Sequence, residues 1–373
     1  MSNPDLLYSE VEQDLRASVR AVLTDHCPPS AVLARLESDE PCDLGVWRTL
    51  AAELGVAGLH VPEDRGGHGA SVRETAVVLE ELGRSVAPVP FLGSTVLATT
   101  ALLACDSDLV GDLAAGTTTA ALAIPLTTAP GSACPTTVSV GEDGLLSGRV
   151  TSVVDARAAE FFVVPATGPA LYAVRADAPG VTVAEVVSLD MTRRIADVSL
   201  ASTPGVLLAS GDRAEAAVRE AVRVGAGLLA SEQVGIAEWC LEETVRYVKE
   251  RHQFGRPVGS FQAVKHRLAD LWLELVCARA TARYAADALA CGSPDADVAV
   301  ALAQSECAEL AVRAAEEAIQ LHGGIGMTWE HPAHLALKRA KIDQLAFGTG
   351  GEHRMTLGHM VHLPMDIPSL AQT

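Results

Sequence analysis

The hydropathy pattern of this chain predicts an α+β fold, with helices at both ends and a β unit between them. Three observations carry that reading. Apolar residues recur at helical spacing from Leu6 to about Ala115 and again from Asp212 to about Phe347. From Thr117 to about Ser210 the chain is instead rich in Val, Thr, Gly and Pro, with short alternating runs. The helical stretch after Asp212 is interrupted only at short points, the pattern of a bundle with short connections. The predicted domains are an N-terminal helical domain at 1–116, a middle β domain at 117–210, a C-terminal four-helix bundle at 211–358 and a loose tail at 359–373.

Each element has its own local signal. Leu6 to Asp25 reads as a helix ended by Cys27-Pro-Pro29, and Trp47 to Leu54 repeats the pattern. Gly66-Gly-His-Gly69 is a loop, Val72 to Leu82 a helix closed by Gly83, and Ala87-Pro-Val-Pro90 an extended link into a helix over Gly93 to Ala115. In the middle, Leu145 to Val153 and Glu160 to Val164 alternate as strands, with turns at Gly141-Glu-Asp-Gly144 and Asp177-Ala-Pro-Gly180. Four helices follow, over Arg213 to Arg251, Phe261 to Ala290, Pro294 to Leu321 and His331 to Ala346. Asp212 and Ser293 are the expected N-caps, and Gly323-Gly324 the stop after the third helix.

Composition narrows the function. Hydrophobic residues make up 49% and charged residues 20%, which is globular, while aromatics at 4% leave a core of Ala, Leu and Val suited to close helix packing. A net charge of -19 excludes general affinity for nucleic acid or an anionic membrane surface. A polyanionic ligand would need a local basic pocket. The N-terminus shows no secretion signal, no apolar run reaches spanning length, and eight scattered cysteines lack Cys-x-x-Cys spacing. A reduced, cytoplasmic setting is expected.

Several motifs point nowhere. Gly225-Ala-Gly-Leu-Leu-Ala230 resembles a dinucleotide fingerprint, but helical sequence flanks it on both sides, which predicts a close helix-packing site. His331-x-x-His334 and His359-x-x-His362 lack an acidic or Cys partner at ligand spacing, so surface histidines and no metal are expected. No nucleophile elbow or phosphate-binding loop ending in Lys-Ser or Lys-Thr is present.

Two phrases are richer. Arg251-His-Gln-Phe-Gly-Arg-Pro-Val-Gly-Ser-Phe-Gln262 joins a helix end, a turn and a helix start. Free N–H groups, a positive dipole end and planar Arg forks suit a diphosphate, and the stretch alone fits an interhelical turn equally well. Gln320-Leu-His-Gly-Gly-Ile-Gly-Met-Thr328 puts an amide at a helix end before two glycines that admit a ring or phosphate to the backbone. Alone, it reads more simply as a helix stop.

Together, in this order within an α-β-α chain, the phrases resemble the acyl-CoA dehydrogenase family. The likeness includes Trp47, Leu54-Gly55, Pro62-Glu63, Gly66-Gly67, Gly69, Glu81-Leu-Gly-Arg84, Asp155, Ala158 and Asp190-Met-Thr-Arg193, and is densest from Ser231 to Arg354. It implies a barrel-like middle domain, a tetramer built from dimers, and FAD between one subunit's middle domain and its neighbour's last domain. By the family pattern Arg251, Phe254, Gln262, Gln320, Gly323 and Gly324 would hold the diphosphate and adenosine of a neighbour's flavin, and Thr349 matches a flavin-contacting Thr.

The departures are specific. The family's usual base is a Glu immediately before the Gly-Thr element, where this chain has Phe347. Some members carry it instead on the first helix of the last domain, at the position that here is Gly225. Neither takes a proton, so no catalytic residue is expected in this chain. Glu352 and Glu232 align with no base position and are expected on the surface. The family's Thr-Glu-x-x-x-Gly-Ser flavin cradle is degraded over Ile124 to Ser132, and no Trp lies between Trp47 and Trp239 to back the ring. The half-site lent to a neighbour is kept and the chain's own half is lost.

That asymmetry resembles the base-lacking subunits of the α2β2 acyl-CoA dehydrogenases of actinobacterial steroid catabolism. The resemblance implies a homologous catalytic partner subunit, a steroid or cholesterol side-chain acyl-CoA substrate such as 3-oxocholest-4-en-26-oyl-CoA, and an electron-transfer flavoprotein as acceptor. Two alternatives remain: a stand-alone homotetramer with an unusual base such as Glu352, and a non-catalytic scaffold on the same fold.

Overall fold

A computed structural model describes residues 6–38, 40 and 42–363. The first helix, α1 (Glu10–His26), starts four residues later than Leu6, because Ser9 and Glu12 form a capping box that sets its first turn. After α2 (Pro29–Leu36), helix α3 (Leu44–Arg48) is capped by Asp43 and continues as a π-helical segment over Thr49–Glu53. Helix α4 (Val72–Ser85) carries a second capping box, Ser71 with Glu74. The single helix expected over Gly93 to Ala115 is three pieces: a π-helical segment Phe91–Ala98, α5 (Thr99–Ala104) and α6 (Leu109–Ala114). The break lies at Asp106, whose φ is 53°, and Ser107, whose hydroxyl accepts from the Leu109 N–H at 3.3 Å. Such short polar side chains offer the backbone a turn in place of a helix.

The middle domain is a sandwich. One sheet has the order β1 (Ala120–Leu122), β4 (Phe161–Ala166), β5 (Ala170–Arg175), β8 (Val206–Ser210), and only its β1–β4 pair is parallel. The other has the order β2 (Val138–Val140), β3 (Leu146–Val154), β7 (Ile195–Thr203), β6 (Val181–Glu185), antiparallel throughout. Phe162, Val164 and Val174 of the first meet Val150, Val198 and Leu200 of the second in a separate small core. The barrel-like form expected from the family is therefore corrected: among the described residues the strands form two four-stranded sheets and do not close into a barrel.

The last domain contains the four expected helices: α7 (Asp212–Glu250), α8 (Gln262–Ala290), α9 (Ala296–His322) and α10 (Ala333–Leu345). Their caps differ from expectation. Gly211 occupies the cap position of α7 and Asp295 that of α9, while the Ser293 hydroxyl accepts from the Asp295 N–H. A short ribbon, β9 (His252–Gln253) with β10 (Arg256–Pro257), joins α7 to α8. The tail begins later than expected, because Thr349 and Glu352 cap a further helix, α11 (Gly350–Met360). The tail beyond 363 lies outside the described residues.

The bundle core is built on alanine, including Ala237, Ala282, Ala303, Ala311 and Ala315. Small side chains let α4 and α7 touch backbone to backbone: a Cβ at Gly83 would overlap the Glu232 carbonyl, and one at Gly235 the Glu80 carbonyl. Gly225 and Gly227 lie in the middle of α7, as helix packing and not a dinucleotide turn requires. Ion pairs complete the clasp, with Arg16 reaching Glu80, Glu81 and Glu238 at 2.7–2.9 Å and Arg283 reaching Glu12 at 2.6 Å. No helix among the described residues is long and apolar enough to cross a membrane.

Candidate functional site

Helix α7 and the loop after α10 bring the two expected base positions face to face. Phe347 is fully buried, and its ring carbon Cζ lies 3.0 Å from where a Cβ on Gly225 would sit; Leu97 Cδ2 is 2.6 Å from the same point. The Phe347 backbone is left-handed, with φ 56°. It is pinned on both sides: its N–H donates to the Leu126 carbonyl at 2.8 Å, and its own carbonyl accepts from His353 Nε2 at 2.9 Å. Hydrocarbon from Phe347 and Leu97 thus fills the space where a carboxylate would have to act. Sequence reasoning found Phe347 and Gly225 but missed Leu97, which carries no signal apart from its place in an apolar run.

A cavity of about 490 Å³ opens beside this plug. It lies between the loop containing Thr128 to Thr136, the β4–β5 turn and the first turns of α7, with Glu215, Arg219 and Val222 on its helical wall. Neither Gly225 nor Phe347 lines it. The degraded cradle segment, including Gly131 and Ser132, forms its loop wall.

The two other acidic candidates have structural tasks. Glu352 is exposed, as expected, and its Oε2 accepts from the Thr349 N–H at 2.7 Å and the Thr349 hydroxyl at 3.0 Å. That hydrogen bonding holds its carboxyl below the ordinary glutamate value, the wrong direction for a base at neutral pH. Thr349 is correspondingly engaged as a helix cap. Glu232 corrects an expectation: it is not on the surface but 0% exposed, because α7 is covered there by α4 and by the 190–193 loop. Arg193 reaches it at 2.5 Å and Arg339 at 2.6 Å. Burial alone would raise its carboxyl, but the two guanidinium groups outweigh that and hold it low. Arg339 also pairs with Asp190 at 2.7 Å, and Arg193 with Asp343 at 2.5 Å, so this cluster bolts the middle domain to α7 and α10. The Asp190 to Arg193 segment was visible in the sequence; its partners, distant along the chain, were not.

The remaining predicted site residues collect at one end of the bundle. Arg251 ends α7, and its carbonyl accepts from the Val258 N–H at 2.8 Å, closing the turn that carries Phe254. Phe254 is 90% exposed with φ 55°, edge-on to Phe261 at 6.2 Å, while the Arg256 guanidinium stacks 3.9 Å from the Phe261 ring. Gln262 opens α8, exposed. Tyr247 near the end of α7 stacks on His322 at the end of α9, 4.3 Å apart, which ties this turn to the Gln320 to Gly324 segment. Gln320, Gly323 and Gly324 are exposed, and nothing lies within 4 Å of where a Cβ on either glycine would sit. Open backbone, planar cations and an uncovered aromatic fit the diphosphate and adenosine part of a dinucleotide cofactor. Thr349 is not in this group: it lies beyond the far end of α10, a helix about 20 Å long, beside the plug.

Residues 9–108 match the acyl-CoA dehydrogenase N-terminal domain, and residues 216–362 match the acyl-CoA dehydrogenase C-terminal domain. The chain belongs to the acyl-CoA dehydrogenase family. FAD is the cofactor of that family, whose members are oxidoreductases acting on CH–CH bonds. Acyl-CoA dehydrogenase IpdE2 of Mycobacterium tuberculosis is 37% identical over 334 residues, covering 89% of this chain and 91% of that protein. Among solved structures, the ChsE4-ChsE5 complex from Mycobacterium tuberculosis superposes with a TM-score of 0.84 at 28% identity, covering 96% of this chain and 99% of that one. A variant of the Tcur3481-Tcur3483 steroid acyl-CoA dehydrogenase superposes with a TM-score of 0.81 at 30% identity, covering 95% of this chain and 98% of that one.

Proposed function

We propose that this chain is the non-catalytic subunit of a mixed α2β2 FAD-dependent acyl-CoA dehydrogenase. The observation that carries the proposal is the pairing of a plugged base position, Phe347 against Gly225, with an open cofactor-facing end at Arg251, Phe254, Gln262, Gln320, Gly323 and Gly324. In this reading the open end grips the diphosphate and adenosine of a flavin whose ring lies in a homologous partner. The partner also supplies the carboxylate that takes the proton next to the thioester carbonyl. FAD, when bound, is the two-electron acceptor for that oxidation. This chain adds affinity and position, and two of the four potential sites of the tetramer work.

Similarity to the Tcur3481-Tcur3483 steroid acyl-CoA dehydrogenase favours a steroid side-chain acyl-CoA as substrate. The electron acceptor in this reading is an electron-transfer flavoprotein, as the resemblance to the family implies. Glu352 as an alternative base has one carboxylate oxygen, Oε2, committed to the cap of α11, and that bonding holds its carboxyl low.

Co-expression with a full-motif homologue, followed by flavin counting against mass, tests the proposal. The expected result is a mixed tetramer with two flavins, no flavin on this chain alone, and loss of flavin from the complex in R251A and Q320A. A yellow homotetramer with one flavin per chain overturns it. So does a mixed tetramer whose flavin content is indifferent to both substitutions, which marks a scaffold.

A further inference from the structure

A set of three candidate ligands that the histidine spacing in the sequence did not suggest comes together at one end of the bundle. Among the described residues, ligand atoms of Glu243 on α7, His322 at the end of α9 and His331 before α10 all lie within 4.8 Å of one another. The rings of His322 and His331 are 4.3 Å apart.

His322 is the decisive member. It is 3% exposed, and its Nδ1 donates to the Ala318 carbonyl at 2.6 Å. That bond leaves the lone pair on Nε2, and Nε2 is buried with no hydrogen-bond partner. An orphaned buried acceptor is costly, so a group that satisfies it is favoured. A backbone carbonyl on the opposite ring nitrogen is also the usual outer support of a metal-bound histidine. His331 Nδ1 accepts only a long bond, 3.3 Å, from the Ala333 N–H. The Glu243 carboxylate is neutralised by Arg246, which is more than half exposed and free to swing away as another cation arrives.

We infer that Glu243, His322 and His331 form a binding site for a divalent transition cation of the zinc class. Two imidazoles, one carboxylate and a water make a tetrahedral set that zinc favours. With bonds of about 2.0–2.1 Å the donors of such a set lie about 3.3 Å apart, so closing the site needs side-chain movements of about an ångström. The site is at the root of the Arg251 turn and the Gly323-Gly324 segment. A cation there staples the ends of α7 and α9 to the start of α10. This inference does not depend on the subunit role proposed above, because its readout is metal content and not flavin or turnover.

The test uses the full-length protein stripped with chelator and dialysed against Zn²⁺, with total metal measured per chain, and Co²⁺ substitution as a spectroscopic probe. The expected result is one Zn²⁺ per chain, a tetrahedral Co²⁺ visible spectrum, and at least tenfold weaker binding in both H331A and the near-isosteric E243Q. H359A, a change at an exposed histidine, leaves binding as it is. Absence of stoichiometric metal overturns the inference. Metal retained equally by H331A and E243Q, an adventitious ion only, overturns it as well.

Discussion

Phe347 holds a backbone conformation that L-residues avoid, and it does so because three contacts over-determine it: the Leu126 carbonyl, the His353 ring and the packing of its own ring against Gly225. Substitutions at this contact separate packing from chemistry. G225A drives a methyl into Leu97 and Phe347 and is expected to lower stability by about 1–3 kcal/mol. F347A removes the plug and is expected to cost about 3–5 kcal/mol. Urea denaturation measures both, and neither variant is expected to change the flavin content of an intact complex. F347E places a carboxylate at the family's base position but among hydrocarbon, and an activity assay of the chain alone is expected to read zero. At this scale the sequence was informative where a residue's meaning is its identity at a motif position, as for Phe347, whose side chain lies against Gly225. It was silent where meaning comes from a neighbour in space. Leu97, the Glu243–His322–His331 group and the partners of Glu232 are contacts between residues far apart in the chain, and no spacing rule encodes them.

At the scale of elements, helices join through buried charge as well as through alanine. Arg339 satisfies Glu232 and Asp190 at once, so R339A leaves two buried carboxylates short of a partner and is expected to cost about 3–5 kcal/mol in thermal or chemical unfolding. The clasp of α1 has a pH signature. Burial alone would raise the Glu12 carboxyl, but hydrogen bonds from Arg283 and Arg73 override it and bring the pKa to about 2. A group held below its unfolded value stabilises the fold above the ordinary glutamate pKa of about 4.3, and that contribution fades as pH falls toward 2. Hydrogen-exchange protection of α1, measured relative to the intrinsic exchange rate at each pH, is therefore expected to fall across that window in the wild type, and the acid dependence to flatten in E12Q. Long helices of the last domain were legible to within a few residues because their apolar period is sustained over many turns. The stretch from Gly93 to Ala115 was not, because Asp106 to Asp108 interrupts an otherwise continuous apolar pattern with a short turn.

The whole molecule carries a charge of -19 and yet leaves large apolar side chains uncovered, several of them on the last domain. Trp272, Leu273 and Val276 of α8, with Met355, Met360 and Val361 of α11 and the segment after it, are all exposed. Scattered apolar residues are ordinary on a monomer, but Trp272, Leu273 and Val276 are clustered on one helix, as a partner-covered face in the proposed assembly would require. The double variant W272D/L273D is expected to reduce the mass of the assembled species in sedimentation while leaving the far-UV circular dichroism of the chain as it was. Domain order was visible in composition, because the shift from helical period to Val, Thr and Gly runs is a property of long segments. Whether the strands closed into a barrel depended on pairings that composition does not carry.

Helix α7 runs 39 residues without a break. Gly225 and Arg251 are two points on that one rod, about 39 Å apart at helical rise. In the subunit role proposed above, one station on this stiff member has no chemistry to perform and the other has a cofactor to hold, so the selective pressure differs along its length. A deep mutational scan of α7, scored by function of the assembled enzyme, is expected to show two kinds of constraint: around Gly225, where the helix is buried, only exchanges of matching size are tolerated whatever their chemistry, and near its end the exposed Lys249 and Glu250 vary freely while Arg251 does not.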